Sequence, residues 1–393
     1  VVIPAWNEED GIEAIMERVL AVGPALAQVG VSDLELIVVD DGSADGTAEI
    51  VAAYDGARLI RHEVNRGYGA ALKTGFHAAT GDLLAFLDAD GTYPPEHFPE
   101  LCQEALAGAD LVVGSRRSGA KSEMPAVRRV GNLLWSSLVT LLSSQRVIDP
   151  ASGMRVFHRE ALERLYPLPD GLNFTPVMST RAVHEGVRLA EIPIPYKERV
   201  GRSKLSVVKD GMRFLQTIIW TALNYNPVRI LGGLGAGMVA LGLVIFAVLV
   251  GMRVAGITTL GPWGVASTFA AVGLALTGVN LFAVGVTFNY LVSLFHKRPV
   301  RQGLFGKPVF ETPLERQFWW MGLASVVAGL TISVISLVLS FSGWEIERLW
   351  LWLLGGTGLF LLGIELGVFW VIVGVLDELK QREVRVQADL GER

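Results

Sequence analysis

The stretch GDLLAFLDADGTYPPE, residues 81–96, joins an apolar segment to a pair of acidic residues. The segment Leu83 to Leu87 shows no alternation of polar and apolar residues, which is typical of a strand buried on both faces of a parallel sheet. Asp88 and Asp90 follow at its carboxyl end, where open α/β sheets bind ligands. Two carboxylates there suit a hard divalent cation, Mg²⁺ or Mn²⁺, shared with substrate phosphates. Taken alone, an Asp-x-Asp turn is also compatible with a solvated acidic loop.

Polar side chains also follow the other apolar segments of the N-terminal part. They are Asn7 and Glu8 after residues 1–3, Asp40 and Asp41 after residues 34–39, and Ser115 and Arg116 after residues 110–114. Helical segments separate these apolar segments, and the β-α-β-α order with short loops predicts a doubly wound, mostly parallel sheet. Because the carboxyl ends of parallel strands lie along one edge, we expect the polar side chains to line one crevice. The alternative for each is a capping residue in a strand-to-helix loop.

Three predicted helices bear on how the crevice is built. The first strand is expected to end at Pro4, and an amphipathic helix to follow from Ile12 to Leu26. Residues 125–142 form a helix with Arg128 and Arg129 near its start and an apolar face, either a plain surface helix or a shelf on a membrane. Residues 204–225 are amphipathic with a basic face, which favours a helix in the membrane interface over one packed in a core.

The apolar residues of this 393-residue chain, 51% hydrophobic in all, are concentrated after Asn226. Four runs there, at 228–252, 265–291, 318–341 and 349–376, are each close to or above the roughly 20 residues that span a bilayer. They predict an all-α domain of four transmembrane helices, with Glu365 as an acid inside the last span. The net charge of -5 argues against a nucleic-acid partner. A single cysteine, Cys102, excludes an intramolecular disulfide and a cysteine metal site.

Basic residues between the spans predict the orientation of the chain. The second connecting loop contains Lys297, Arg298, Arg301, Lys307 and Arg316, and the tail contains Lys380, Arg382 and Arg385. The first and third loops contain one arginine each, Arg253 and Arg348. By the positive-inside rule, the N-terminal domain, the second loop and the tail are cytoplasmic. We therefore expect an integral, multi-pass cell membrane protein, with self-association through glycine-rich membrane helices as a further possibility.

Five segments, in order, resemble family 2 glycosyltransferases with a GT-A fold: VVIPAWNEE, VVDDGSADGT, NRGYGAALKTGF, FLDADGTYPPE and VVGSR. IDPASGMRVF (148–157) and ERVGRSKL (198–205) are similar to the branch of dolichol-phosphate mannose synthases and polyprenyl-phosphate glycosyltransferases. The resemblance covers residues 1 to 225. Together with the hydropathy and charge patterns, it predicts a GT-A domain at 1–200, a basic loop and interfacial helix at 201–226, a membrane domain at 227–378 and a cytoplasmic tail at 379–393.

The resemblance also implies roles for individual residues. The residues implied to bind the nucleotide-sugar are Pro4, Trp6, Glu8, Val39, Asp41, Asp88, Ala89, Arg116, Arg199 and Lys204. Asp88 and Asp90 are implied to bind the metal. The catalytic set is Asp88, Asp90 and Asp149, and the lipid phosphate is met by Arg128, Arg129, Ser152 and Arg202. Gly91 and Thr92 depart from the residues usual after the acidic motif, so the resemblance leaves the sugar open.

The resemblance implies a metal-dependent, inverting hexosyltransferase. It would move a hexose from a nucleotide-sugar of the UDP-glucose or GDP-mannose type to a polyprenyl or dolichyl phosphate at the cytoplasmic membrane face. Because the second pKa of such a phosphate is about 6, the acceptor is largely anionic at pH 7 and needs no strong base. One alternative is a processive polysaccharide synthase, for which a Gln-x-x-Arg-Trp motif is expected and absent from the sequence. The other is a non-enzymatic membrane lipid-binding protein, which predicts broken acidic motifs.

Overall fold

The computed structural model describes residues 1–117, 126–142, 146–196, 207–257, 259–295, 314–344 and 346–390. Within these ranges the side chains of residues 126–128, 207–210, 346–348 and 383–390 are left aside. Two compact units are present, Val1–Ala222 and Leu223–Arg393.

The first unit is built on one seven-stranded sheet in the order β3-β2-β1-β4-β6-β5-β7. The strands are β1 Val2–Ala5, β2 Leu36–Asp40, β3 Ala57–Arg61, β4 Leu83–Phe86, β5 Leu111–Ser115, β6 Arg155–His158 and β7 Leu189–Pro193. The helices are α1 Ile12–Ala21, α2 Gly23–Gln28, α3 Thr47–Ala52, α4 Tyr68–Ala78, α5 Phe98–Leu106, α6 Ala126–Leu142, α7 Arg159–Leu165, α8 Phe174–His184 and α9 Val207–Tyr225. All strand pairs are parallel except those of β6 with β4 and β5. The predicted mostly parallel α/β sheet is therefore confirmed.

Helices cover both faces of this sheet. Ile3 and Val38 lie in one apolar cluster with residues of α1 and α5, whereas their neighbours Val2 and Ile37 lie in another with residues of α4 and α8. Successive side chains of a strand point to opposite faces, so a strand that is covered on both sides must be apolar throughout. This explains why the strands before the acidic turns carry no polar alternation.

Pro4 lies inside β1, so the expectation that it ends the strand was wrong. The amides of Ile37 and Asp41 donate to the carbonyls of Val1 and Ala5, so the odd-numbered residues of β1 face β2. The nitrogen of Pro4 therefore points toward β4, where the pairing is limited to Val2 with Phe86. A proline is tolerated in a strand at a position where no ladder bond needs its N–H.

The first helix is shorter than its periodicity indicates. Instead of continuing to Leu26, α1 ends at Ala21 and α2 begins at Gly23. Pro24 lies in the first turn of α2, a position that requires no amide hydrogen, whereas inside a continuous helix it would remove a hydrogen bond and clash with the preceding turn.

Among its described residues, the second unit contains four helices that are long and apolar enough to cross a membrane. They are α10 Gly233–Val254, preceded by a π-helical turn at Val228–Gly232, then α11 Pro262–Phe295, α12 Phe318–Phe341 and α13 Ile346–Leu390. The four predicted spans are confirmed as helices, although α13 continues into the segment that was expected to be a separate tail.

Polar bonds between α11 and α13 fix their relative direction. Asn280 Nδ2 donates to Glu365 Oε1 over 2.7 Å, and Lys380 Nζ donates to Ser293 Oγ over 2.7 Å. Because the partner numbers rise together, the two helices run parallel, as the second and fourth spans of a four-span domain must. Asn280 is the partner of Glu365 that the sequence did not indicate.

We predict that Asn280→Leu destabilises the membrane unit more than the double variant Asn280→Leu/Glu365→Leu. Glu365 Oε2 has no hydrogen-bond partner among the described residues, and the single variant also removes the partner of Oε1. A buried polar group left without a partner costs about 1–3 kcal/mol, whereas replacing both groups by apolar ones is nearly neutral. Thermal unfolding of the full chain in detergent measures the difference. A double variant no more stable than the single one would contradict this assignment.

Candidate active site

The loops after β1 and β2 are bonded to each other. The amide of Asn7 donates to Ser43 Oγ and the amide of Ala44 donates to Asn7 Oδ1, both over 2.9 Å. Asn7 has a φ of 52°, in the left-handed region that asparagine tolerates better than most residues. These bonds make one wall from the two loops, with Trp6 exposed and Glu8 partly exposed on it. Pro4 and Val39, the other two residues predicted there, are buried register partners in the sheet below.

Asp41 is almost completely buried and binds its own chain. Its Oδ1 accepts from the amide of Arg66 over 2.8 Å and lies 2.7 Å from His62 Nδ1, while Oδ2 accepts from the amide of Gly67 over 2.8 Å. His62 Nε2 lies 3.0 Å from Thr74 Oγ1 on α4. Asp41 therefore fixes the loop that leads into α4. Its predicted contact with the nucleotide base stays a prediction.

The two carboxylates of the acidic turn lie after β4, at the carboxyl edge of the sheet. Asp88 Oδ1 accepts from the hydroxyl of Tyr68 over 2.8 Å, and Asp90 Oδ1 accepts from the amide and the hydroxyl of Thr92 over 3.2 and 2.6 Å. Both side chains are partly exposed, whereas Ala89 between them is buried.

The described residues contain no group of three or more histidine, cysteine, aspartate or glutamate side chains that could hold a metal ion. A pair of carboxylates nevertheless fits Mg²⁺ or Mn²⁺, because such an ion is commonly bound by one or two carboxylates together with substrate phosphates and water. Asp88 and Asp90 are the candidates for such a pair, since both carboxylates are partly exposed after the carboxyl end of β4.

Arg116 and Asp149 form a buried ion pair at the end of β5. The Nε and the backbone amide of Arg116 donate to Asp149 Oδ2 over 2.8 and 2.9 Å, and Nη2 donates to Oδ1 over 2.7 Å. Asn132 Nδ2 on α6 donates to Oδ1 over 2.8 Å. The carboxylate of Glu191 on β7 then accepts from the amides of Ile148 and Asp149, each over 2.8 Å. All four acceptor positions of Asp149 are therefore occupied by its own chain.

Burial alone would raise the pKa of Asp149, but the charge and the hydrogen bonds of Arg116 outweigh burial and hold the pKa below its ordinary value. Burial conversely lowers the pKa of Arg116, and the charge of Asp149 outweighs it, so the pKa lies well above the ordinary range. Both groups are thus charged at neutral pH. In this arrangement Asp149 orients Arg116 and has no vacant position at which to accept a proton.

Two tyrosines enclose the guanidinium of Arg116. Its central carbon lies 5.8 Å from the ring centroid of Tyr93 and 5.5 Å from that of Tyr196, distances at which a cation is attracted to an aromatic face. The hydroxyl of Tyr93 accepts from the amide of Gly153 over 2.7 Å. A Cβ built on Gly153 would overlap the carboxylate of Asp88, so any other residue at this position would displace that carboxylate.

The buried side of the amphipathic helix α6 contains polar residues in addition to Val139 and Leu142. Asn132 binds Asp149, Ser136 Oγ donates to the carbonyl of Val147 over 2.5 Å, and Thr140 Oγ1 accepts from the amide of Val147 over 3.3 Å. The opposite, exposed face carries Val130, Leu133, Leu134 and Leu141. In a helix packed on a domain in water, the apolar side normally faces the core. Helix α6 therefore has an exposed apolar surface, and contact of this surface with water is unfavourable.

Helix α9 also has an exposed apolar side. Ile218 and Ala222 are buried, while Met212 and Trp220 are exposed by 61% and 60%. The ring of Phe214 on α9 lies edge-on against Trp135 of α6. Helices α6 and α9, which were both expected at a membrane surface, therefore contact each other. Both have large apolar side chains that are exposed.

Several predicted residues remain without a structural account or lie away from the crevice. Arg199, Arg202 and Lys204 lie outside the described residues, as does the side chain of Arg128, whereas Arg129 is exposed on α6. Ser152 is fully buried, and its hydroxyl donates to the carbonyl of Gly114 over 2.5 Å. Its predicted contact with a lipid phosphate is not supported by this position.

Sequence reasoning missed several residues that build the site. Arg155 is the largest of them: it is fully buried, and its guanidinium donates to the carbonyls of Ser152, Pro150 and Thr175. Burial lowers its pKa to about 10. The others are Tyr68, Tyr93, Asn132 and Glu191, whose roles depend on contacts distant in sequence. The run 148–157, which contains Arg155, was the one available signal.

We predict that Asp149→Ala destabilises the first unit by about 3–5 kcal/mol, because it leaves Arg116 buried without its counter-charge. The pKa of Asp149 is lower in the folded protein than its ordinary value of 3.8. The pair therefore stabilises fully above that value, and the stabilisation is lost as the pH falls through the folded-state pKa. Unfolding measured between pH 7 and pH 3 should show the penalty of Asp149→Ala shrinking below about pH 4.

Asp170→Ala is the matched control, because Asp170 pairs with Lys73 but its side chain is 66% exposed. An exposed pair contributes at most about 1 kcal/mol, so this variant should stay close to the wild type. A penalty for Asp149→Ala no larger than that of the control would contradict the assignment of a tight buried pair.

Comparison with known proteins agrees with this architecture. The family model described as glycosyl transferase family 2 matches residues 1–166, and a domain of unknown function, DUF8752, matches residues 227–387. Undecaprenyl-phosphate 4-deoxy-4-formamido-L-arabinose transferase of Aeromonas hydrophila subsp. hydrophila is 29% identical over 307 residues, which covers 75% of this chain and 88% of the relative. The protein of the same name from Photorhabdus laumondii subsp. laumondii is 29% identical over 311 residues, covering 78% and 92%.

Among solved structures, glucosyl-3-phosphoglycerate synthase from Mycobacterium tuberculosis, in complex with Mn²⁺ and UDP-glucose, is 25% identical with a TM-score of 0.47. The match covers 56% of this chain and 77% of that one. The part of the chain that matches glycosyl transferase family 2, residues 1–166, contains six of the seven strands of the sheet in the first unit.

Proposed function

We propose that the protein transfers a sugar from a nucleotide-sugar to a polyprenyl phosphate at a membrane surface. The exposed apolar side of α6, opposite the residues that bind Asp149 and its loop, is the observation that carries this proposal. Its polar stripe binds Asp149 and the loop beside it, while Leu133, Leu134 and Leu141 face outward. A lipid surface against this apolar side would bring an acceptor headgroup next to the Arg116–Asp149 pair. The relatives, named as transferases of undecaprenyl phosphate, support the same acceptor class.

The donor is assigned to the crevice formed by the loops after β1, β2 and β4. Asp88 and Asp90 would hold a divalent cation, Mg²⁺ or Mn²⁺, together with the donor diphosphate. When bound, such an ion offsets the charge that develops on the leaving nucleotide. Trp6 and Glu8 stand on the wall beside the crevice, where the nucleoside is proposed to bind. The proposed donor remains of the UDP-glucose or GDP-mannose type.

The acceptor is proposed to react as a phosphate anion, in one displacement that inverts the anomeric centre. Because such a phosphate is already largely ionised at pH 7, the site needs cations more than a base. The guanidinium of Arg116 is fixed by Asp149, which acts as a positioning residue, and is proposed to attract the acceptor phosphate. Arg129 on α6 and the residues Arg128, Arg199, Arg202 and Lys204 are proposed to add charge for the two substrate phosphates.

We predict that nucleoside diphosphate is released from a screened nucleotide-sugar only when undecaprenyl phosphate is present, and not with undecaprenol or glycerol phosphate. Arg129→Ala should raise the KM for the lipid phosphate by about tenfold, since a charge-assisted bond contributes roughly 1.5–3 kcal/mol when it is well shielded and less at an exposed site. Purified full chain in detergent with the lipid added is sufficient for both measurements.

Arg58→Ala serves as the control for charge, because Arg58 is an exposed arginine on β3 at the opposite edge of the sheet from β5. It should leave the KM for the lipid unchanged. Equal transfer to glycerol phosphate and to undecaprenyl phosphate would overturn the proposed acceptor.

We further predict that the catalytic unit, the loop at 296–313 and the end of the chain share the cytoplasmic side. The motivation is the excess of lysine and arginine in these segments over the other two loops. In a Cys102→Ala background, an impermeant thiol reagent applied to intact cells should label a cysteine at Gly261 and fail to label one at Gln302. The reverse labelling would invert the topology.

A further inference from the structure

The carboxylate of Asp88 is held from two sides by residues that the sequence did not single out. The hydroxyl of Tyr68 donates to its Oδ1 over 2.8 Å. On another side lies the backbone of Gly153, where any side chain would overlap both carboxylate oxygens. A flexible acidic side chain on a loop has several rotamers available, so such a fixed orientation requires specific contacts.

Tyr68 is itself fixed in place. It is the first residue of α4, and the amides of the next two residues, Gly69 and Ala70, donate to the carbonyl of Asp170 over 2.6 and 3.1 Å. Its ring packs edge-on against Phe174 of α8, with the centroids 6.5 Å apart. The helix start and the ring are thus bound to a separate part of the fold, so the hydroxyl is delivered to Asp88 from a rigid support.

The hydroxyl can only act as a donor toward this carboxylate. An ionised carboxylate only accepts hydrogen bonds, so the phenolic O–H of Tyr68 is the donor in this contact. A carboxylate that accepts a hydrogen bond keeps further lone pairs for a cation, because each of its oxygens has two acceptor positions. The tyrosine therefore restricts the orientation of Asp88 without using up its capacity to bind a metal.

Gly153 also connects the acidic turn to Arg116 through Tyr93. Its amide donates to the hydroxyl of Tyr93, and the ring of Tyr93 lies against Arg116. The loop beneath Asp88 is thus held by the same tyrosine that encloses the guanidinium. Orientation of the acidic turn and orientation of Arg116 depend on one connected set of contacts.

We propose that Tyr68 is a positioning residue for the metal site: its hydroxyl fixes Asp88 over Gly153, so that a divalent cation and the donor diphosphate meet a carboxylate already oriented for them. This inference rests on the metal-dependent transfer proposed above. A site whose ligands are pre-oriented binds more tightly, because no free energy is spent on ordering them. Loss of the hydroxyl should therefore weaken metal binding while leaving the apolar packing of the ring intact.

The test is direct binding of Mn²⁺ to the full chain in detergent, followed by the electron paramagnetic resonance signal of the free ion. Separate titrations contain UDP or GDP. Tyr68→Phe should raise the dissociation constant for Mn²⁺ by about 3- to 30-fold, the range expected for one hydrogen bond to a partly exposed carboxylate. Asp90→Ala should abolish binding. Tyr54→Phe, which alters a partly buried tyrosine away from the crevice, should match the wild type.

Turnover gives a second readout. Raising the Mn²⁺ concentration should restore most of the rate of Tyr68→Phe, and its KM for the lipid acceptor should equal that of the wild type. A general loss of structure would lower the rate at every metal concentration. Gly153→Ala leaves Tyr68 intact but places a methyl group where the carboxylate lies, and it should weaken Mn²⁺ binding in the same way.

The outcomes separate the two proposals. If the wild type binds Mn²⁺ and Tyr68→Phe binds it with the same affinity, the proposed role of Tyr68 is wrong but the proposed metal site is not. The absence of Mn²⁺ binding by the wild type with either nucleotide would overturn both. Weaker binding in Tyr68→Phe and Gly153→Ala, with Tyr54→Phe unchanged, is the result that the structure predicts.

Discussion

The buried pair of Arg116 and Asp149 is the interaction on which the catalytic unit depends. A carboxylate this far from water is stable only when it is fully bonded, and Asp149 meets the requirement with Arg116 and Asn132. Those partners come from the end of β5 and from α6, while Glu191 of β7 binds the preceding backbone. One ion pair therefore fixes a strand end, a loop and a helix in a single arrangement.

The same requirement explains the orientation of α6. Asn132 must face inward to satisfy Asp149, and Ser136 and Thr140 lie one and two turns further along the same side. Once that stripe faces the domain, the leucines of the opposite side have to face outward. The outward position of these leucines is thus linked to the way in which the buried charge of Asp149 is satisfied.

The sequence was sufficient where local chemistry decides structure. Apolar strands ending in Asp41 and in Asp88 and Asp90 predicted the mostly parallel sheet, and long apolar runs predicted the four long apolar helices. The sequence was insufficient where the structure is determined by contacts between residues that are distant in the chain. The antiparallel β6, the inward stripe of α6 and the pairing of Glu365 with Asn280 each depend on a partner that no local pattern indicates. The domain boundaries proposed at residues 200, 226 and 378 stay predictions.

Transfer to a lipid phosphate requires that the outward side of α6 meet lipid. A spin label at Leu134, with the full chain in lipid nanodiscs, tests this most directly through its relative accessibility to oxygen and to a water-soluble nickel complex. A label at Gln28, exposed on α2, provides the aqueous reference. We expect the label at Leu134 to be reached by oxygen and shielded from nickel. If both labels are equally accessible to nickel, α6 faces water and the proposed meeting of lipid phosphate with Arg116 is wrong.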